Sequence, residues 1–143
     1  MILKRNAERL QKQLEEQKEY MARIAGYALL PKAEKVKVIN VPDSSLYKDP
    51  NGDSCIGYWE KQTGHEIKND SVYYCPACGK PMSKKSSTLD GAHVYKEGNP
   101  KEWFFTPLCS KCNNPENQEP MNVDTTLVPV PQECYEKKND GDE

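Results

Sequence analysis

The chain has 143 residues, 36% of them hydrophobic and 8% aromatic, with eleven prolines, and its mean hydropathy is -0.92. So short and polar a chain holds one ordinary domain, or a small one with extensions, and is thinly supplied for a core. Its net charge of -2 excludes the strongly basic field of a nonspecific DNA binder.

The charge is unevenly spread. Residues 1–40 carry nine Lys/Arg against five Glu, and residues 41–74 three Lys against six acids. Residues 75–112 carry six Lys against three acids, and residues 113–143 two Lys against eight acids. No apolar run approaches a membrane span, and MILKRNAERLQKQLEEQKEY is too polar for a signal peptide. An intracellular, reducing location, cytoplasmic or nuclear, is expected.

In chain order, residues 1–30 predict an amphipathic helix from about Ile2 to Leu29, stopped by Pro31. Leu3, Ala7, Leu10, Leu14, Gln17, Met21, Ile24 and Ala28 fall at alternating spacings of four and three, the seam of a heptad repeat. Such a stripe is covered either by the protein's own core or by a second helix. The second case makes residues 3–28 a short coiled coil, in a homodimer or on a partner helix. Gln17 in the seam and Gly26 near its end count against that version.

Residues 31–71 read as a linker with short strands and turns. VKVIN predicts a strand, Pro50-Asn51-Gly52 a turn, and Cys55–Glu60 a short helix or strand. Val72-Tyr73-Tyr74 then enters a zinc-binding segment, residues 72–130. Ala92–Tyr95 and Trp103–Phe105 predict two strands around a KEGNPKE turn, and Leu127–Val130 an edge strand. Residues 131–143 predict an acidic, disordered tail.

The chemistry is concentrated in two Cys-x-x-Cys pairs, Cys75/Cys78 in YYCPACGK and Cys109/Cys112 in TPLCSKCNN. Two intervening residues let both sulfurs of a tight turn face one ion, and four thiolates form the closed tetrahedral set that structural Zn2+ prefers. Gly79 and Asn113, after each pair, are residues that tolerate a left-handed backbone. In a core-poor chain the metal acts as a staple. Cys55 and Cys134 are left over and read as free thiols.

The order CPACGK, LDGAHVYKEG, WFFTPLCSKCNN resembles the HNH-type treble-clef family over residues 75–114. The elements together predict a small α+β protein, a long N-terminal helix and short strands with a zinc-stapled finger of HNH-like treble-clef shape, and the resemblance implies nucleic acid, DNA or RNA, as partner. A zinc ribbon is the alternative architecture. The resemblance also implies that His93 matches the family's general base and that Asn113 matches its last ligand for a second ion, Mg2+ or Mn2+. Ala92 and Phe104 stand where the family offers polar groups, and no carboxylate occupies the matching positions. A catalytic HNH-type endonuclease is therefore set against a binding module with degenerate catalytic positions. Lys80, Lys84 and Lys85 are the candidate phosphate contacts. The third alternative is a protein-interaction adaptor using the heptad helix. Against a catalytic His93 stands the ordinary reading of a lone histidine in a hairpin, bonded to backbone or to sulfur.

Overall fold

The computed structural model describes residues 2–24 and 26–138. It is an α+β arrangement of two α-helices and eight strands. Helix α1 spans Ile2–Ile24. It stops earlier than the proline alone implied, because Gly26 turns left-handed with φ 78° and ends the helical path. Tyr27–Ala28 then form strand β1 instead of continuing the helix to Leu29. This strand lies parallel to β3 (Val72–Tyr74), where the Tyr27 and Tyr74 rings sit 4.2 Å apart.

Residues 31–71 are not a linker. Strand β2 (Lys32–Asn40) is an inner strand of a five-stranded antiparallel sheet, between β7 (Met121–Thr125) and β5 (Leu89–Lys96). The sheet continues through β6 (Trp103–Cys109) to β8 (Val128–Pro129), which places Pro129 on an edge, where a missing donor is tolerated. Helix α2 (Cys55–Thr63) begins where the Ser54 hydroxyl accepts from Gly57 N–H and ends at the left-handed Gly64. It packs on the sheet through Tyr58, whose ring meets Phe105 edge-on at 5.8 Å. Its fully buried Trp59 donates its indole N–H to Thr126 O at 2.9 Å.

The core gathers Val38, Val94, Phe105, Leu108 and Val123 from the sheet with Trp59 from α2 and Met82 from β4 (Pro81–Met82). This single cluster spans both the supposed linker and the zinc segment, so the division at residue 72 is not a structural boundary. The acidic end also differs from expectation. Gln132–Tyr135 form a 3-10 turn with Cys134 fully buried, and Tyr135 stacks on Trp103 at 4.5 Å. Composition alone gives no sign of this, because the partners are distant in sequence: Trp103 for Tyr135, and the backbone of Leu46 and Lys48 for Lys138 and Glu136. The expectation for residues 139–143 lies outside the described residues.

The described side chains of helix α1 add nothing to this core cluster. Ala7, Leu10, Leu14 and Gln17 of the seam are exposed, while the side chains of Leu3, Met21 and Ile24 lie outside the described set. Among the described residues no helix is long and apolar enough to cross a membrane.

Candidate metal centre and the surroundings of His93

Each cysteine pair sits at the end of a strand whose pairing fixes its direction. Cys75 follows β3, which folds back on β4 with Tyr73 opposite Met82. The turn is closed by Gly79 N–H to Cys75 O at 2.9 Å and Cys75 N–H to Lys80 O at 2.8 Å. Gly79 is left-handed at φ 75°, as its position predicts, whereas Asn113 is not among the residues of positive φ. The second turn closes without a left-handed residue, by Asn113 N–H to Cys109 O at 3.0 Å. Asn40 clamps it from β2, its side-chain amide donating to Cys112 O at 2.7 Å and Asn117 O at 3.0 Å.

These turns bring the sulfurs of Cys75, Cys78, Cys109 and Cys112 within 4.8 Å of one another. The Cys78 and Cys109 sulfurs are 3.6 Å apart. A Zn–S bond of about 2.3 Å sets the edge of a regular S4 tetrahedron at roughly 3.8 Å, so the spacing fits one zinc-sized ion. Backbone donors already face the sulfurs: Cys109 N–H lies 3.4 Å from Cys75 Sγ, and Cys112 N–H 3.4 Å from Cys109 Sγ. Burial pushes the Cys75 thiol up to about 11 and also raises that of Cys112. For Cys78 the burial effect is upward too, but hydrogen bonding from Lys80 N–H and from the neighbouring cysteines outweighs it and holds the thiol below its ordinary value. Crowded, desolvated thiols resist losing their protons, and a divalent cation among them supplies the charge that reverses this. Among the described residues this is the one group of three or more His, Cys, Asp and Glu so gathered.

His93 lies elsewhere. Along β5 it pairs with Phe105, while Asp90 pairs with Leu108. Side chains alternate between faces along a strand, so residues 90 and 93 point to opposite faces. The His93 ring is buried, meets Phe105 edge-on at 4.9 Å, and has its Nε2 3.9 Å from Cys55 Sγ. Desolvation lowers its pKa, against a smaller upward pull from Asp49. The Cys55 thiol is pushed up to about 12, by burial first and by Asp49 second. A neutral imidazole therefore faces a neutral thiol. Gly91 makes the approach possible: a Cβ there would stand 2.5 Å from Ile56 N at the start of α2.

Asn113 instead donates its amide to Asp90 Oδ2 at 3.2 Å. The structure thus brings together all four predicted zinc ligands but separates His93 from Asn113. Among the described residues no helix follows Cys112 before the 3-10 turn at Gln132; the segment runs through turns into β7 and β8. Of the predicted phosphate contacts, Lys80 and Lys85 are exposed, but Lys84 is engaged, its Nζ 2.6 Å from Glu60 Oε1. Sequence reasoning missed Lys111, which shares with Lys80 a cleft of about 440 Å3 over Cys78 and Cys112. Its place inside the second Cys-x-x-Cys was the available signal. It also missed Asp49 and Cys55 beside His93, for which linear spacing offered none.

No family model, curated protein or solved structure matches the chain.

Proposed function

We propose that the protein is a zinc-stapled, HNH-like binding module whose partner is nucleic acid and which does not cut it. The observation that carries the non-catalytic half is the environment of His93. Its ring is desolvated, its Nε2 is turned to the Cys55 thiol, and the oxygens of Asp90 and Asn113 lie across the strand. A general base needs a water within hydrogen-bond reach and a divalent ion nearby, and a ring so placed is poorly provided with either.

Support for the nucleic-acid half is the rim of the metal centre. Lys80 and Lys111 come from the two separate turns and meet over one cleft, with Glu116 opposing them and Lys85 exposed nearby in sequence. Four thiolates around Zn2+ carry about two negative charges, so these lysines first balance the cluster and leave a weakly basic rim. Binding through it is accordingly of modest strength and salt-sensitive.

Fluorescence anisotropy with labelled single-stranded and duplex DNA and RNA tests this reading. About three phosphate contacts give a log–log salt slope of roughly -2 to -3, flattened in a Lys80→Ala/Lys85→Ala/Lys111→Ala variant that keeps its zinc. Absent or salt-insensitive binding overturns the nucleic-acid reading. Plasmid nicking with Mg2+ or Mn2+ that disappears in a folded His93→Ala variant would overturn the non-catalytic one and restore the endonuclease. The adaptor reading has its own support in the uncovered seam of α1, with Leu10 60% and Leu14 55% exposed.

A further inference from the structure

Along helix α1 the described seam side chains, Ala7, Leu10, Leu14 and Gln17, are exposed. Between the helix and the first metal turn runs an open groove of about 1180 Å3. One wall is the helix, with Leu14 and Gln17 of the seam; the other sets Leu29, Leu30, Tyr74 and Ala77 beside a charged margin that includes Glu34 and Asp124. A helix about 10 Å across that rises 1.5 Å per residue fills on the order of 120 Å3 per residue. The groove thus holds roughly ten residues of helix, close to three turns. A solitary helix of this length is marginal in water without a packed face, and every described seam position of α1 is exposed.

We infer that the groove is an interface between two copies of this chain, each receiving the α1 helix of the other in antiparallel orientation. Three observations select that occupant. The seam has the alternating spacing of four and three that specifies a second helix instead of an extended peptide or a flat surface. Antiparallel pairing centred on residue 12 sets Leu10 against the partner's Leu14, and the one polar seam residue, Gln17, against the small Ala7. Finally, the helix is electrically lopsided: residues 2–12 carry four Lys/Arg against one Glu, and residues 13–24 three Glu against two Lys/Arg. Parallel copies would stack the two basic halves, whereas antiparallel copies set each against the acidic half. Such pairing is isologous and closes at two chains. The inference stands independently of the nucleic-acid reading, since the groove and the lysine rim share only Cys78.

Sedimentation velocity on the full chain loaded with zinc tests it. Wild type should run as a dimer, and Leu14→Asp should weaken association by on the order of a hundredfold, as expected for a central apolar anchor. Metal content and the near-ultraviolet circular dichroism of Trp59 and Trp103, which report on the core, should stay unchanged. Orientation is read by mixing Leu10→Cys with Leu14→Cys chains under mild oxidation. A cross-link that forms in the mixture and not in either variant alone supports the antiparallel pair. A wild type that stays monomeric at its solubility limit overturns the proposal, as does a dimer indifferent to Leu14→Asp. A self-cross-link of Leu10→Cys overturns the antiparallel arrangement.

Discussion

The six cysteines occupy two environments that differ in convergence and not in burial. Cys75 and Cys109 are buried, and so is Cys134. Yet only the first two belong to a set of four sulfurs aimed at one point and met by backbone N–H groups. Cys55 instead faces one imidazole and one carboxylate, each 3.9 Å away. Concentrated thiols with donors around them make a cation site, whereas a thiol facing neutral or acidic company stays protonated. A cysteine count alone does not separate the two; the geometry does.

The sharpest way to break the contrast is to deny the four sulfurs the zinc they are proposed to hold. A strong chelator, or Cys109→Ser, should abolish the cooperative thermal transition, since structural zinc is worth on the order of 10 kcal/mol or more to domains of this kind. Cys55→Ser should leave one zinc per chain by elemental analysis. A second zinc lost with Cys55, or a fold indifferent to chelation, would erase the distinction.

Next in size is Gly91→Ala. Its added Cβ meets the backbone of Ile56 and not a flexible tip, so α2 must shift. A loss of about 2 kcal/mol in denaturant unfolding is expected, with zinc content intact.

Smaller still are the pH effects. His93 has a folded pKa below its ordinary 6.5, so the unfolded chain binds more protons as acid is added. The stability this neutral ring contributes is complete above pH 6.5 and declines as pH falls below it. Cys55 acts at the other extreme. Its thiol is raised from 9.0 to about 12, so its contribution is full below pH 9 and is lost as pH rises toward 12. His93→Gln should flatten the acid limb of a melting-temperature profile and Cys55→Ala the alkaline limb. Lys84→Ala should matter least, costing about 0.5–1 kcal/mol, since the Glu60 pair is only partly shielded from water.

How much of this was legible in the chain follows from the range of each signal. The four clustered cysteines were readable because Cys-x-x-Cys is a local device, and the strands around KEGNPKE because turn chemistry is local too; Gly98 takes φ 90° there. Strand β2 was visible as VKVIN, but its rank inside the sheet was not, since its partners lie near residues 95 and 122. The pairing of His93 with Asn113 came from family resemblance, and strand alternation parts them. The order in residues 132–138 is not legible in composition, because Tyr135 finds its partner across the fold at Trp103 and Cys134 joins the buried core cluster.

The clamp made by Asn40 has a temporal consequence. Its amide holds the carbonyl of Cys112, 72 positions further along. The second sulfur turn is therefore seated against a strand made much earlier, and that strand must wait for β5 and β7 before its own ladder is complete. During synthesis the first cysteine pair emerges long before the second has anything to brace it. Capture of an ion by all four sulfurs would therefore come late in assembly, and a ribosome stalled before residue 109 would release a polypeptide able to grasp it with only half its hand.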